Sequence, residues 1–223
     1  MTFSIAFLMF PDLTQLDMTG PAQVLTRIPG ARVIYGAVDA GPVPTDCGFD
    51  ITATTRLKDI SAVDMICVPG GFGIVAAMAD PAFMDELRRL AGTARFVTSV
   101  CTGALVLGAA GLLRGRRATT HWAYHDLLPL AGAIPVRARV VRDGNVFSGG
   151  GVTAGIDFGL TIASEVSGEA TARQIATALE YAPAPPFGPG DVDAQPDAVA
   201  TAVRARYVDP VAATRDAMTA ALA

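Results

Sequence analysis

Two histidines, His121 and His125, and three cysteines, Cys47, Cys67 and Cys101, are all that 223 residues offer as imidazole or thiolate metal ligands. The cysteines lack zinc spacing. In a His-Glu-x-x-His motif the glutamate would fall where Trp122 stands, and no third ligand accompanies the pair, so no metal is expected. An odd cysteine count argues against a disulfide framework and for a reducing, cytoplasmic compartment. Basic excess is absent too: a formal net charge of −4 and a pI near 5.1 leave no electrostatic footprint for nucleic acid. No basic segment precedes the first apolar run, so a signal peptide is not expected. The longest uncharged apolar run, residues 96–113, is interrupted by Thr98, Ser99, Thr102 and glycines, which predicts a strand plus a helix rather than a membrane span. There is no internal repeat.

What remains is an apolar chain with clear punctuation. Hydrophobic residues make up 51%, enough to bury a full core, which predicts one domain with an appendage. Residues 3–9, 32–38 and 64–68 read as buried strands. Pro21 fits a first helical position, with 23–28 continuing as a short helix. A turn-rich connection is expected at 41–46 and an accessory strand or hairpin at 49–57. Pro81 opens a helix over 81–94 whose buried face carries Phe83, Leu87 and Leu90. Next come a strand at 96–100, a buried helix at 102–113, and a hairpin, 136–142 with 146–148, around Asp143-Gly-Asn145. Helices at 153–166 and 170–181 close the domain. The β–α alternation predicts an α/β fold with a mostly parallel sheet covered on both faces. From 183 to 196 a Pro- and Gly-rich arm leads to helical patterns at 197–207 and 211–222. Val211, Met218 and Leu222 form a stripe there that packs either on the same chain or on a second subunit.

Cys101 stands where the central strand ends and the next helix begins. Free backbone N–H groups and the positive end of the helix dipole gather at such a joint, which favours thiolate and hence a nucleophile. Ser99 and Gly103 on either side are small enough for a nucleophile elbow. Pro69-Gly-Gly-Phe-Gly73 follows another strand; it is either a tight turn or half of an oxyanion-type site with the Gly71 N–H as donor. Asp17 alone reads as a helix-capping carboxylate. His121 and His125 stand at i and i+4, and both face one way if this segment is an α-helix. Gly149-Gly-Gly-Val-Thr-Ala154 superficially fits a dinucleotide fingerprint, with Glu169 in the acidic position. It follows a hairpin strand instead of opening a β-α-β unit, so its glycines are expected to let backbone pass close to the elbow.

Four motifs occur together: Val68-Pro-Gly-Gly71, Val100-Cys-Thr-Gly103, Thr119-Thr-His-Trp122 and Gly149-Gly-Gly-Val-Thr-Ala-Gly-Ile-Asp157. In this order they resemble the DJ-1/PfpI superfamily over residues 3–183. The resemblance implies a flavodoxin-like, class I glutamine-amidotransferase-like three-layer sandwich. Residues 1–183 would form the catalytic domain, and 184–223 an arm with helices on the domain or on a dimer partner. Within the family, the acid partner of the cysteine comes from the loop that holds Asp17, and Thr102 matches a site position. His121 lies near the family's site, as a substrate or thiol contact or as a merely hydrogen-bonded imidazole.

The activity implied is hydration of an isonitrile to an N-substituted formamide. Cys101 would act as nucleophile and Asp17 as proton carrier, with water as co-substrate and no cofactor. A homodimer is expected, without nucleic-acid or membrane partners. Two other branches remain alternatives. One is the ligand-sensing domain of a transcription regulator, although the tail after Tyr181 is short and acidic for a helix-turn-helix module. The other is a deglycase or redox-stress protein, against which Thr102 counts where peptidase-like relatives have His, and Asp17 where they have Glu.

Overall fold

The computed structural model describes residues 2–223. Its strands are β1 (Phe3–Leu8), β2 (Ala31–Ala37), β3 (Gly41–Pro44), β4 (Asp50–Ala53), β5 (Thr55–Arg56), β6 (Met65–Val68) and β7 (Phe96–Val100) in the first half. The second half adds β8 (Arg117–Ala118), β9 (Ile134–Pro135), β10 (Val140–Asp143) and β11 (Val146–Gly149). Seven of these make one sheet in the order β10-β11-β7-β6-β1-β2-β5, parallel except for edge strand β10. The most continuously apolar strands, β1, β6 and β7, occupy the middle, where both faces are covered and no polar alternation is tolerated.

Helices pack on both faces. α1 (Gln15–Leu25), α5 (Ala154–Ser167) and α6 (Glu169–Ala178) form one group. α2 (Ile74–Ala79), α3 (Pro81–Ala91), α4 (Gly103–Ala109) and α8 (Val208–Leu222) form the other, while α7 (Asp197–Ala205) leads into α8. This is the flavodoxin-like α/β sandwich with a mostly parallel sheet. Phe7, Phe147 and Phe158 are fully buried within it, each worth about 1.5–3 kcal/mol relative to exposure.

Several boundaries differ from the expectation, each for a physical reason. α1 starts at Gln15, so Asp17 lies in its first turn and Pro21 sits inside it instead of opening it. The proline ring is accommodated by Gly155 of α5, where a Cβ would meet Pro21 Cδ at 2.8 Å. A Cβ at Gly159 would likewise crowd Val24, so glycines let α1 and α5 approach closely. Residues 41–44 are not only a connection: they pair antiparallel with β4 as a hairpin beside the main sheet. The helix expected to run to 113 ends at Ala109, and Gly111, with φ of 82°, turns the chain away. α2 went unforeseen, being six residues between glycine and proline signals. The segment Trp122–Ala131 is a 3-10 helix with His121 as its N-cap. Its three-residue turn does not align His121 with His125, and the paired-histidine face does not form.

Of the carboxy-terminal stripe, Met218 and Val211 pack on the core of the same chain. α8 packs against α2, α4 and the 3-10 segment, with Met218 fully buried and Thr214 nearly so. Met218→Ala should therefore cost about 2–5 kcal/mol, read as a lower urea midpoint with an unchanged slope. No change in midpoint would mean that α8 does not contribute to the core.

Candidate functional site

The strand-to-helix joint after β7 places Cys101 in a left-handed conformation, φ 57°, unusual for a side chain with a Cβ and tolerated where the surroundings enforce it. The enforcing bonds are local. The Cys101 N–H donates to the carbonyls of Gly149 and Gly150 at 3.0 and 2.8 Å, and the Thr120 hydroxyl donates to the Cys101 carbonyl at 2.8 Å. The glycine run 149–151 thus passes close to the elbow, as expected from its composition. Gly103 is needed because a Cβ there would run into the Val68 and Pro69 carbonyls.

Asp17 reaches the same spot from α1 and is fully buried. Its Oδ2 accepts the Gly70 N–H at 3.0 Å, while Oδ1 has no well-formed hydrogen bond. A Cβ on Gly70 would sit 2.6 Å from the Thr102 nitrogen and 2.8 Å from Asp17 Oδ2, so only glycine fits between them. Capping falls to a different carboxylate: Asp46 accepts the Gln15 N–H at 3.3 Å and the Thr14 hydroxyl at 2.8 Å. The capping reading of Asp17 is thereby replaced.

Burial sets the electrostatics. It raises Asp17 from an ordinary 3.8 to about 7, opposed by hydrogen bonding to Cys101 and Gly70 and reinforced by the Asp46 charge. It also pushes the Cys101 thiol well above its usual range, with the Asp17 charge adding to the rise and the Thr102 N–H opposing it. Burial thus works against the resting thiolate expected from the helix start. α4 has seven residues, and its dipole does not offset the loss of water around sulfur. Cys67, mid-strand, is pushed up to about 12 by burial, whereas Cys47 is exposed.

Gly71, placed with φ of 134°, lines the pocket, but its N–H donates to Thr102 Oγ1 at 3.0 Å. The amide proposed for an oxyanion is engaged in holding Thr102, so the glycine loop positions side chains instead of facing a ligand with free donors. His121 also lines the pocket. Its Nδ1 accepts the Ala123 N–H at 3.4 Å, and burial lowers it to about 4, so at neutral pH the ring is neutral with its proton on Nε2. His125 is buried and does not line this pocket.

The cavity above Cys101 measures about 130 Å³ and is lined by Gly71, Phe72, Thr102, His121, Tyr124, Val152 and Tyr207, with Thr14 and Asp46 at its acidic side. Tyr124 and Tyr207 had no sequence signal. They stand 23 and 106 residues past the cysteine, and only tertiary packing brings them to it. Cysteine and carboxyl lie desolvated together under an aromatic roof, an arrangement that can pair a thiol with a carboxyl proton carrier.

Fold and elbow define a class of cysteine-centred α/β proteins, and sequence comparison gives the family. The DJ-1/PfpI family model matches residues 3–165, and the chain belongs to that family. It is 55% identical to the isonitrile hydratase of Pseudomonas putida over 92% of this chain and 90% of that protein. It is 31% identical to the HTH-type transcriptional regulator CdhR of Pseudomonas aeruginosa, over 62% of this chain and 42% of the regulator. Among solved structures, a THiJ/PfpI family protein from Pseudomonas syringae superposes with a TM-score of 0.95 at 36% identity, covering 98% of this chain and 91% of that one.

A raised carboxyl pKa has a consequence for stability. The folded protein holds the Asp17 proton up to about pH 7, while the unfolded carboxyl releases it near 3.8. Native binding of the extra proton stabilises the fold below the lower value, and that stabilisation is lost as pH rises through the upper one. Asp17→Asn should match wild type in acid and exceed it above neutrality, gaining about 1.4 kcal/mol per pH unit between the two values. Denaturant melts across this range check it; a variant less stable than wild type at alkaline pH contradicts the assignment.

Proposed function

We propose that this protein is an isonitrile hydratase that uses Cys101 as nucleophile, Asp17 as proton carrier and no metal or organic cofactor. One observation carries the reading: the thiol's titratable partner is a buried carboxyl poised near neutrality, and not an imidazole. An isonitrile needs such a pair, because its terminal carbon must be attacked and protonated together.

In the first half-reaction Cys101 passes its proton to the Asp17 carboxylate as sulfur bonds to the isonitrile carbon. Asp17 then delivers that proton to the same carbon, giving a thioimidate R–N=CH–S–Cys101. In the second, Asp17 takes a proton from water as its oxygen adds to this carbon, and returns it to nitrogen. The tetrahedral adduct collapses as its hydroxyl proton moves to the departing sulfur. This releases R–NH–CHO and restores the thiol. The Thr102 N–H and hydroxyl both steady the sulfur, the hydroxyl oxygen being positioned by the Gly71 N–H. Neutral His121 offers its Nε2–H to developing charge and does not compete for the thiol's proton.

Among the described residues no group of three or more His, Cys, Asp or Glu has metal-binding geometry, and no helix is long and apolar enough to cross a membrane. We take the enzyme to be a cytoplasmic homodimer whose partners are an isonitrile and water, with residues 1–183 as the catalytic domain. Likeness to CdhR keeps a ligand-sensing reading in view. Against it stands the docking of α8 on the core, where it packs as part of the sandwich and not as a helix presented to DNA.

Purified protein should convert cyclohexyl isonitrile to its formamide. Cys101→Ala and Cys101→Ser should leave no turnover, and Asp17→Asn should lose about 10²–10⁴-fold in kcat. Intact-mass spectrometry should find a substrate adduct on wild type or on Asp17→Asn, and none on Cys101→Ala. Turnover by Cys101→Ala with an inert Asp17→Asn would refute the covalent scheme.

A further inference from the structure

The family match ends at residue 165, yet one wall of the pocket comes from beyond it. Tyr207, at the corner between α7 and α8, lies over the site with its ring 5.1 Å from His121, 5.3 Å from Trp122 and 6.0 Å from Tyr124 between centroids. These three partners belong to the catalytic domain, so the arm completes a wall that the domain alone leaves open. Beneath that wall the cavity is about 130 Å³. A closed apolar cavity of roughly 150 Å³ holds a single benzene. A substrate body larger than that extends past the pocket mouth or displaces one of its walls.

Anchoring of the arm is uneven. α8 is fixed by Met218 and Thr214, both buried. α7 buries no residue. It is tethered by the Arg204–Asp193 ion pair, both side chains more than half exposed, and by Arg204 lying 5.5 Å over the Trp122 ring. Exposed pairs of this kind hold weakly. Tyr207 therefore stands where a firmly docked helix meets a loosely held one, the place where local opening is least costly.

We infer that Tyr207 is a specificity-determining gate: its ring, held by the aromatic cluster His121, Trp122 and Tyr124, sets the size limit on what reaches Cys101. As a statement about isonitriles this rests on the proposed function; as a statement about access to the thiol it does not. The ring excludes by its shape. Removing it enlarges the pocket, whereas removing the hydroxyl alone leaves the wall standing.

The test compares wild type with Tyr207→Ala and Tyr207→Phe in two assays. One measures the rate of Cys101 modification by iodoacetamide and by the bulkier N-phenylmaleimide, read on the Cys101 peptide so that exposed Cys47 does not contribute. The other measures kcat/KM for methyl and cyclohexyl isonitrile. Tyr207→Ala should raise the bulky-to-small ratio by roughly tenfold or more in both assays, and Tyr207→Phe should keep the wild-type ratio. Circular dichroism and melting confirm that each variant is folded. An unchanged ratio in Tyr207→Ala, or a Tyr207→Phe that behaves like it, overturns the gate. Should no variant turn over either isonitrile, the functional reading fails, and the reagent ratio alone still decides the gate.

Discussion

A carboxyl group has been taken out of water and set beside a thiol. Everything else around the site follows from the cost of that placement. Asp17 is fully buried with one oxygen bonded to Gly70 and the other without a well-formed partner. Such a group survives in a core only by holding its proton to an unusually high pH, and about 7 is the value that results. Neighbouring packing keeps it there. Gly155 and Gly159 let α1 lie tight on α5, and Gly70 and Gly103 leave no room for a Cβ between loop and elbow.

The same desolvation acts on Cys101, so the two groups hold protons that neither releases easily alone. A thiol raised by burial is a poor resting nucleophile but a ready one once a neighbour accepts its proton. A carboxyl near neutrality is matched to that task, because it takes and returns a proton at little cost. In the proposed reaction stability and chemistry therefore pull against each other at one residue, since anionic Asp17 destabilises the fold at the pH where the scheme uses it.

Much of this was legible in the chain, because its strongest signals are local. The apolar run of β7, its abrupt end at Cys101, the Pro81 helix start and the Asp143-Gly-Asn145 hairpin turn each depend on neighbouring residues, and each fell where composition placed it. Pro21 misled, since the rule that proline opens helices knows nothing of a glycine on another helix that makes room for its ring. The surroundings of Cys101 were only half visible for a similar reason. A helix start is visible in sequence, whereas the depth of burial that outweighs it is a property of the packed sandwich. The engagement of the Gly71 N–H by Thr102, and Tyr207 over the pocket, were beyond reach, as both depend on long-range packing.

The central claim is that Asp17 governs when Cys101 becomes nucleophilic, and the pH profile of Cys101 alkylation by a small reagent tests it most directly. In wild type the rate should rise through about pH 7, as Asp17 loses its proton and becomes able to accept the thiol's. In Asp17→Asn that rise should vanish and move above the ordinary thiol range, where burial alone holds the group. An Asp17→Asn profile that overlays wild type, or that reacts faster at neutral pH, would contradict the account.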